Sequence, residues 1–194
     1  MRSIGLFCSS SDGLPQVTCE LAWSFGQACG ERGIRLIYGG GARGLMGIAA
    51  RAAHAAGGSV RGIMLDALVG REGANVEIGE LRRVSTLAER KRLIAAEAEA
   101  FVALPGGMGT LDELTEILTL DDIGLTGKPV CLVDSDGFWD PFFDMLGRFS
   151  AYGVMRASAA GDLLRAHGAA EALDVCTAAV SARAAAGGHG RAAA

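Results

Sequence analysis

The chain has 194 residues, of which half are hydrophobic and 21% are charged, and its formal net charge is −4. This composition excludes a disordered chain and predicts one globular domain that needs neither a disulfide nor a metal to hold its core. A negative net charge gives no overall attraction for nucleic acid or for an anionic membrane. No apolar run is long enough to cross a bilayer, and the N-terminus has no signal-peptide layout, so a cytoplasmic protein is expected.

Apolar runs of strand length alternate with stretches of helical periodicity. The predicted strands are 4–7, 34–38, 60–64, 101–104 and 130–133, with a further short strand at 162–165, and the last predicted helix is 169–182. Nearly all-apolar strands that alternate with helices indicate βαβ units, and therefore an α/β fold with a doubly wound, Rossmann-like parallel sheet and helices on both faces. Residues 65–81 lack a clear period and are interpreted as a long loop or short helices near the cleft. Low complexity over 184–194 predicts a flexible tail after a domain of residues 1–183.

Two glycine-rich turns follow predicted strands, at the edge where open α/β sheets bind ligands. The first covers residues 39–47 (GGGARGLMG), and the second covers residues 105–113 (PGGMGTLDE). In the second turn, Gly106, Gly107 and Gly109 let the backbone approach an anion, and the following helix N-terminus adds free N–H groups and the positive end of its dipole. This turn therefore predicts a phosphate site.

Glu113 lies three residues after Thr110, and this Thr-x-x-Glu spacing has two interpretations. In a capping box, the glutamate would only accept a bond from the cap residue's N–H group. A cap does not need three glycines in the preceding four positions, so a functional carboxylate is favoured. Glu116 lies one turn further on and can face the same ligand, although a solvated helix residue is the alternative.

A second capping box, residues 86–89 (TLAE), places Arg90 and Lys91 near the start of another helix. The helix dipole disfavours cations in the first turn, so two consecutive cations indicate an anionic partner. Arg83 and Arg92 belong to the same basic stretch, and a solvated helix face is the alternative interpretation for both.

Together, these segments resemble the LOG (Lonely Guy) family, the cytokinin riboside 5′-monophosphate phosphoribohydrolases, over roughly residues 2–180. The segment PGGMGTLDE is similar to the family's PGGxGTxxE, GGGARGLMG to its GGGxxGLMG, and Glu89-Arg90-Lys91 to the end of its MHxRK. The resemblance implies cleavage of the N-glycosidic bond of a nucleoside 5′-monophosphate to free base and ribose 5-phosphate, with no cofactor and no metal. It also implies a homodimer, and an alanine-rich helical surface at 93–100 is the expected interface.

The resemblance implies catalytic roles for Arg90 and Glu113. The residues that it implies for substrate binding are Gly39, Gly40, Gly41, Leu45, Met46, Lys91, Gly106, Gly107, Gly109, Thr110 and Glu116.

The chain departs from the family pattern at positions that bear on which nucleobase the substrate carries. Leu87 and Ala88 stand where the family has Met and His, and Leu120 and Asp122 stand where it often has Trp and Gln. The base therefore stays open between isopentenyladenine, adenine and a modified ring. The alternative function is a non-catalytic carrier of a nucleotide or phosphorylated cofactor with the same fold. Retention of both the arginine and the glutamate favours an enzyme.

Overall fold

The structure is a computed structural model that describes residues 1–155 and 163–189. Its strands are β1 (Ser3–Phe7), β2 (Arg35–Tyr38), β3 (Val60–Leu65), β4 (Glu80–Val84), β5 (Ala100–Ala103), β6 (Val130–Val133) and β7 (Leu164–Ala166). Its helices are α1 (Gln16–Glu31), α2 (Gly44–Ala55), α3 (Val69–Glu72), α4 (Leu87–Glu97), α5 (Met108–Asp122), α6 (Asp140–Ala151) and α7 (Ala169–His189), with a 3-10 turn at Asp66–Leu68. None of these helices is long and apolar enough to span a membrane.

The described strands form one parallel sheet in the order β4-β3-β2-β1-β5-β6-β7. The chain adds β2, β3 and β4 on one side of β1, and then crosses to add β5, β6 and β7 on the other. The direction of winding therefore reverses between β1 and β5, which is where such sheets leave a crevice outside the carboxyl ends of their strands. The predicted doubly wound α/β fold is confirmed.

Alternate residues of the strands project to opposite faces, and each face packs on its own set of helices. Leu36 lies in a core shared with α1, α2 and α7, whereas its neighbour Ile37 lies in a core shared with α4, α5 and α6. Helices α1 and α2 approach closely at Gly26, which has no side chain. A Cβ atom at this position would stand 2.0 Å from the carbonyl oxygen of Ala49. All five cysteines are free thiols and four of them are buried.

The structure adds one strand that the sequence did not predict. β4, with the sequence ELRRV, lies at the sheet edge and is largely exposed, so its charged residues hide the apolar pattern of a strand. Arg83 accordingly lies on a strand and pairs with Asp66 at 2.6 Å, whereas the sequence placed it in a basic helical stretch. The segment before β4 forms the 3-10 turn and α3, in agreement with the expected short helices.

The C-terminal region also differs in its boundaries. The short strand expected at 162–165 is β7, although residue 162 itself lies outside the described residues. Helix α7 ends at His189 rather than at 182, because the alanine-rich sequence favours helix. The tail expected over residues 184–194 stays a prediction, and residues 190–194 lie outside the described residues.

Candidate active site

A cavity of about 480 Å³ opens at the carboxyl edge of the sheet, at the switch point between β1 and β5. Its walls come from the loop after β1, from α2, from the segment between β3 and β4, and from the first turns of α4 and α5. The lining residues are Cys8, Ser9, Ser10, Ser11, Met46, Leu68, Arg71, Glu72, Leu87, Arg90, Gly107, Met108, Gly109, Thr110, Asp112 and Glu113.

A larger cavity, of about 680 Å³, lies at the opposite edge, where the strands begin. Its charged groups already pair with one another: Arg61 contacts Glu80 at 3.0 Å and Glu97 at 3.2 Å, and Arg35 contacts Glu80 at 2.7 Å. Open α/β sheets bind their ligands at the carboxyl edge. The smaller cavity is therefore the candidate site.

Arg90 is a buried cation at the centre of this cavity, with 4% of its surface exposed. Thr86 caps α4 by accepting a hydrogen bond from the N–H of Glu89 at 3.2 Å, as predicted, and this places Arg90 in the helix's first turns. The Arg90 Nε donates to the carbonyl of Ile63 and its Nη2 donates to the carbonyl of Gly39, each at 2.9 Å. The remaining nitrogen, Nη1, lies 3.5 Å from Oε1 of Glu113.

Glu113 is a buried carboxylate on the second turn of α5, with 5% of its surface exposed. The capping-box interpretation is wrong, because α5 begins at Met108, its cap residue is Gly107, and no side chain caps it. Among the described residues, Oε1 of Glu113 is buried without a hydrogen-bond partner. Burial raises the pKa of Glu113 to about 7, while nearby Arg90 acts in the opposite direction.

Glu72, at the end of α3, is a second buried carboxylate that the sequence did not reveal. Its Oε1 accepts a hydrogen bond from Ser10 Oγ at 3.3 Å, and its Oε2 lies 4.0 Å from Nη2 of Arg90. Oε2 is buried without a hydrogen-bond partner in the described part of the chain. The only sequence signal was an acid in a glycine-rich segment without periodicity. Glu72 and Glu113 thus lie on two sides of one guanidinium.

The second glycine-rich turn forms the N-terminus of α5 at the cavity wall. Gly107, Gly109 and Thr110 line the cavity, and Cβ atoms on the two glycines would meet nothing within 4 Å. The first N–H groups of a helix have no partner inside that helix, so a 15-residue helix presents free donors here. Gly106 lies behind the wall, where a Cβ atom would stand 2.1 Å from Thr110 Oγ1.

Among the predicted residues of the first glycine-rich turn, Met46 alone lines the cavity. Leu45 is fully buried in the core, and Gly40 has a φ of 79°. Gly39 contacts Arg90, and a Cβ atom on Gly41 would stand 3.4 Å from Oε2 of Glu72. This turn therefore lies behind the charged side chains rather than on the cavity wall.

Lys91 and Glu116 also lie outside the cavity wall. They form an ion pair with each other, and Lys91 Nζ also contacts Asp112 at 3.0 Å, so these side chains join α4 to α5. Of the positions that depart from the family pattern, Leu87 lines the cavity mouth, and it is 42% exposed.

Comparison with known proteins identifies the family of this chain. Residues 46–176 match the family described as "possible lysine decarboxylase". The chain is 43% identical over 145 residues to the cytokinin riboside 5′-monophosphate phosphoribohydrolase LOG of Oryza sativa subsp. japonica, covering 75% of this chain and 60% of that protein. It is 37% identical over 174 residues to the enzyme named LOG2 of Arabidopsis thaliana, covering 90% of this chain and 82% of that protein. The chain belongs to the LOG family.

Solved structures share the fold of this LOG-family chain. The molybdenum cofactor binding protein of Rippkaea orientalis superposes with a TM-score of 0.70 at 20% identity, covering 91% of this chain and 96% of that chain. The molybdenum cofactor carrier protein of Chlamydomonas reinhardtii gives 0.71 at 21% identity, covering 93% and 98%. At these identities the comparison concerns the fold alone.

The raised pKa of Glu113 predicts a pH-dependent stability. The carboxyl has an ordinary pKa of 4.5 and a pKa of about 7 in the folded chain, so its neutral form is favoured on folding. Its contribution to stability is present below about pH 4.5 and is lost as the pH rises through about 7. From about pH 5 to about pH 8, wild type should therefore lose about 1 kcal/mol or more of unfolding free energy relative to Glu113→Gln. Denaturant titrations of both proteins across this range check it, and parallel pH dependences would contradict it.

Proposed function

We propose that this protein hydrolyses the N-glycosidic bond of a nucleoside 5′-monophosphate and releases free base and ribose 5-phosphate. The observation that carries the proposal is the buried pair of Arg90 and Glu113, in the same cavity as the free N–H groups at the start of α5. The names of the relatives from Oryza and Arabidopsis support the same reaction.

The N-terminus of α5 is the proposed anchor for the 5′-phosphate. Gly107 and Gly109 leave the backbone open toward the cavity, and Thr110 adds a hydroxyl group. The helix dipole favours an anion there, in a chain whose net charge is otherwise negative. Each charge-assisted hydrogen bond to the phosphate contributes about 1.5–3 kcal/mol.

The carboxylates are the proposed catalytic groups for the ribose and the base. As the bond from ribose C1′ to the base nitrogen breaks, positive charge develops on the sugar, and a buried carboxylate stabilises it. Glu113 meets this need and can take a proton from the water whose oxygen bonds to C1′, while the base nitrogen leaves with the electron pair of the broken bond and takes up a proton from solvent. Arg90 orients Glu113 and the substrate through Nη1. Oε2 of Glu72 can accept a hydrogen bond from a ribose hydroxyl or from an N–H group of the base.

A non-catalytic carrier is the second candidate, because the molybdenum cofactor binding and carrier proteins share this fold. A carrier needs the phosphate anchor but has no need for a carboxylate of raised pKa that lies 3.5 Å from a buried arginine. The pair therefore favours the hydrolase. Lysine decarboxylation is disfavoured, since neither of the chain's two lysines, Lys91 and Lys128, lines the cavity.

We also propose a homodimer, but not through the alanine-rich surface expected at 93–100. Leu93, Ile94 and Ala98 of that segment are buried within the chain's own core, so this face is not free for a partner. Exposed apolar side chains elsewhere support association; Leu125, for example, is 70% exposed, in the turn after α5. Light scattering at micromolar concentration tests the dimer. The cytoplasmic location stays a prediction.

Glu113→Gln should lose turnover by about 10²-fold or more, because the amide can neither stabilise the developing charge nor take a proton. Arg90→Ala should show a loss of similar order, since the remaining carboxylates are then unpaired. Ribose 5-phosphate release from a panel of nucleoside monophosphates, with melting temperature measured in parallel, checks both. Glu20→Gln is the control, because it makes the same change at an exposed position of α1, outside the cavity wall. A folded and fully active Glu113→Gln would exclude this glutamate from catalysis.

The phosphate anchor predicts a strong preference for the phosphorylated substrate. A nucleoside 5′-monophosphate should be cleaved at least about 10²-fold more efficiently than its nucleoside, which corresponds to the loss of roughly two charge-assisted bonds. The measurement is kcat/KM for both forms of one base, without added metal. Equal efficiencies would indicate an ordinary nucleosidase and contradict the anchor.

A further inference from the structure

Gly39 is the first residue of the glycine-rich turn after β2, but it does not line the cavity. Its carbonyl accepts a hydrogen bond from Nη2 of Arg90 at 2.9 Å. A Cβ atom built on Gly39 would stand 1.8 Å from that nitrogen and 2.8 Å from the Arg90 Cζ atom. The space that a side chain at this position would occupy is thus filled by the guanidinium group.

The guanidinium is held at two of its edges by main-chain carbonyl groups, one within β3 and one directly after β2. Nε donates to the carbonyl of Ile63 in β3, and Nη2 donates to Gly39 directly after β2. Because Arg90 is buried, turning the group away would leave donors and main-chain acceptors unpaired, which is costly. Only Nη1 then points at Glu113.

We propose that Gly39 is a positioning residue for catalysis: its missing side chain lets the Arg90 guanidinium lie against two carbonyl groups with Nη1 aimed at Glu113. This inference rests on the proposed function. It gives the first glycine of the turn a role distinct from phosphate binding, which belongs to the turn at the start of α5. A side chain at position 39 would move the guanidinium by more than about 1 Å, and a displacement of that size can reduce a rate by about 10²-fold.

The first experiment compares Gly39→Ala with wild type in ribose 5-phosphate release. The variant should lose kcat by about 10-fold to 10²-fold, whereas KM should change less than about threefold, because the phosphate anchor on α5 is untouched. Gly5→Ala is the matched control: this buried glycine also faces a side chain closely, with a ring carbon of Phe101 2.6 Å from its Cβ position, but it lies away from the cavity. An unchanged kcat in folded Gly39→Ala would overturn the proposal.

A second measurement does not depend on activity. The groups that act on the Glu113 carboxyl are Arg90 and Lys91 from α4, Glu72 from α3, and Asp112 from its own helix. Burial raises the pKa of Glu113 and Arg90 opposes that rise, so displacing the guanidinium should raise the pKa further. A 13C carboxyl titration without substrate should show a rise of at least about half a pH unit in Gly39→Ala and none in Gly5→Ala.

The two readouts separate the two proposals. If wild type releases no ribose 5-phosphate but the titration of Glu113 still shifts in Gly39→Ala, the proposed function fails and the positioning role holds. If wild type is active and Gly39→Ala keeps both kcat and the wild-type titration, the positioning role fails.

A double variant covers the case in which Gly39→Ala does not fold. Arg90→Ala removes the group that the new methyl would overlap, so adding Gly39→Ala to Arg90→Ala should leave the denaturation midpoint unchanged. The proposal is overturned if Gly39→Ala lowers the midpoint as much in the Arg90→Ala background as in the wild-type background. In that case the contact with Arg90 does not explain why position 39 needs a glycine.

Discussion

The burial of one guanidinium group determines the arrangement of this site. A buried charge is tolerated only when hydrogen bonds and opposite charges replace the water it has lost. Arg90 obtains the hydrogen bonds from two carbonyl groups, at Ile63 and Gly39, and the opposite charge from Glu72 and Glu113. β2, β3, α3 and α5 must therefore meet around α4. Loss of the arginine would leave two buried acids without their shared cation.

In the proposed reaction, the same cavity would serve two tasks. In that reaction, the free N–H groups at the start of α5 would hold the substrate's phosphate without a basic side chain, which suits a chain with a net charge of −4. The acids and the arginine lie beside this anchor. Lys91 fixes the geometry between them, since its ion pairs with Asp112 and Glu116 hold the helix of Arg90 against the helix of Glu113.

Most of the sheet could be predicted, because its central strands are apolar on both faces and bounded by turns. β4 was missed, since an edge strand with the sequence ELRRV has little apolar surface to bury. Motif order correctly brought Arg90, Glu113 and the turn of Gly107 and Gly109 to one cavity. Glu72 could not be found this way, because only the packing of α3 against the turn after β2 brings it to Arg90.

Sequence spacing alone does not fix where a helix begins or which charges pair. The Thr110 to Glu113 spacing matched a capping box, yet α5 begins earlier and both side chains are buried. Lys91 and Glu116 pair with each other outside the cavity wall, and their contact with a ligand stays a prediction. In each case, the sequence identified the chemistry of the residue, whereas the start of the helix and the nearest opposite charge decided where the side chain points.

The pH dependence of kcat/KM on one nucleoside 5′-monophosphate tests the central claim most directly. If catalysis requires an ionised Glu113, kcat/KM should fall as the pH is lowered through about 7. In Arg90→Lys, which weakens the charge pairing with Glu113, the same fall in kcat/KM should occur at a higher pH. The measurement is repeated with a substrate analogue that carries a methylphosphonate in place of the phosphate, because this group has no second ionisation near about pH 6. This separates the ionisation of the Glu113 carboxyl from that of the substrate. A flat profile from about pH 5.5 to about pH 8, equal in both proteins, would contradict the account.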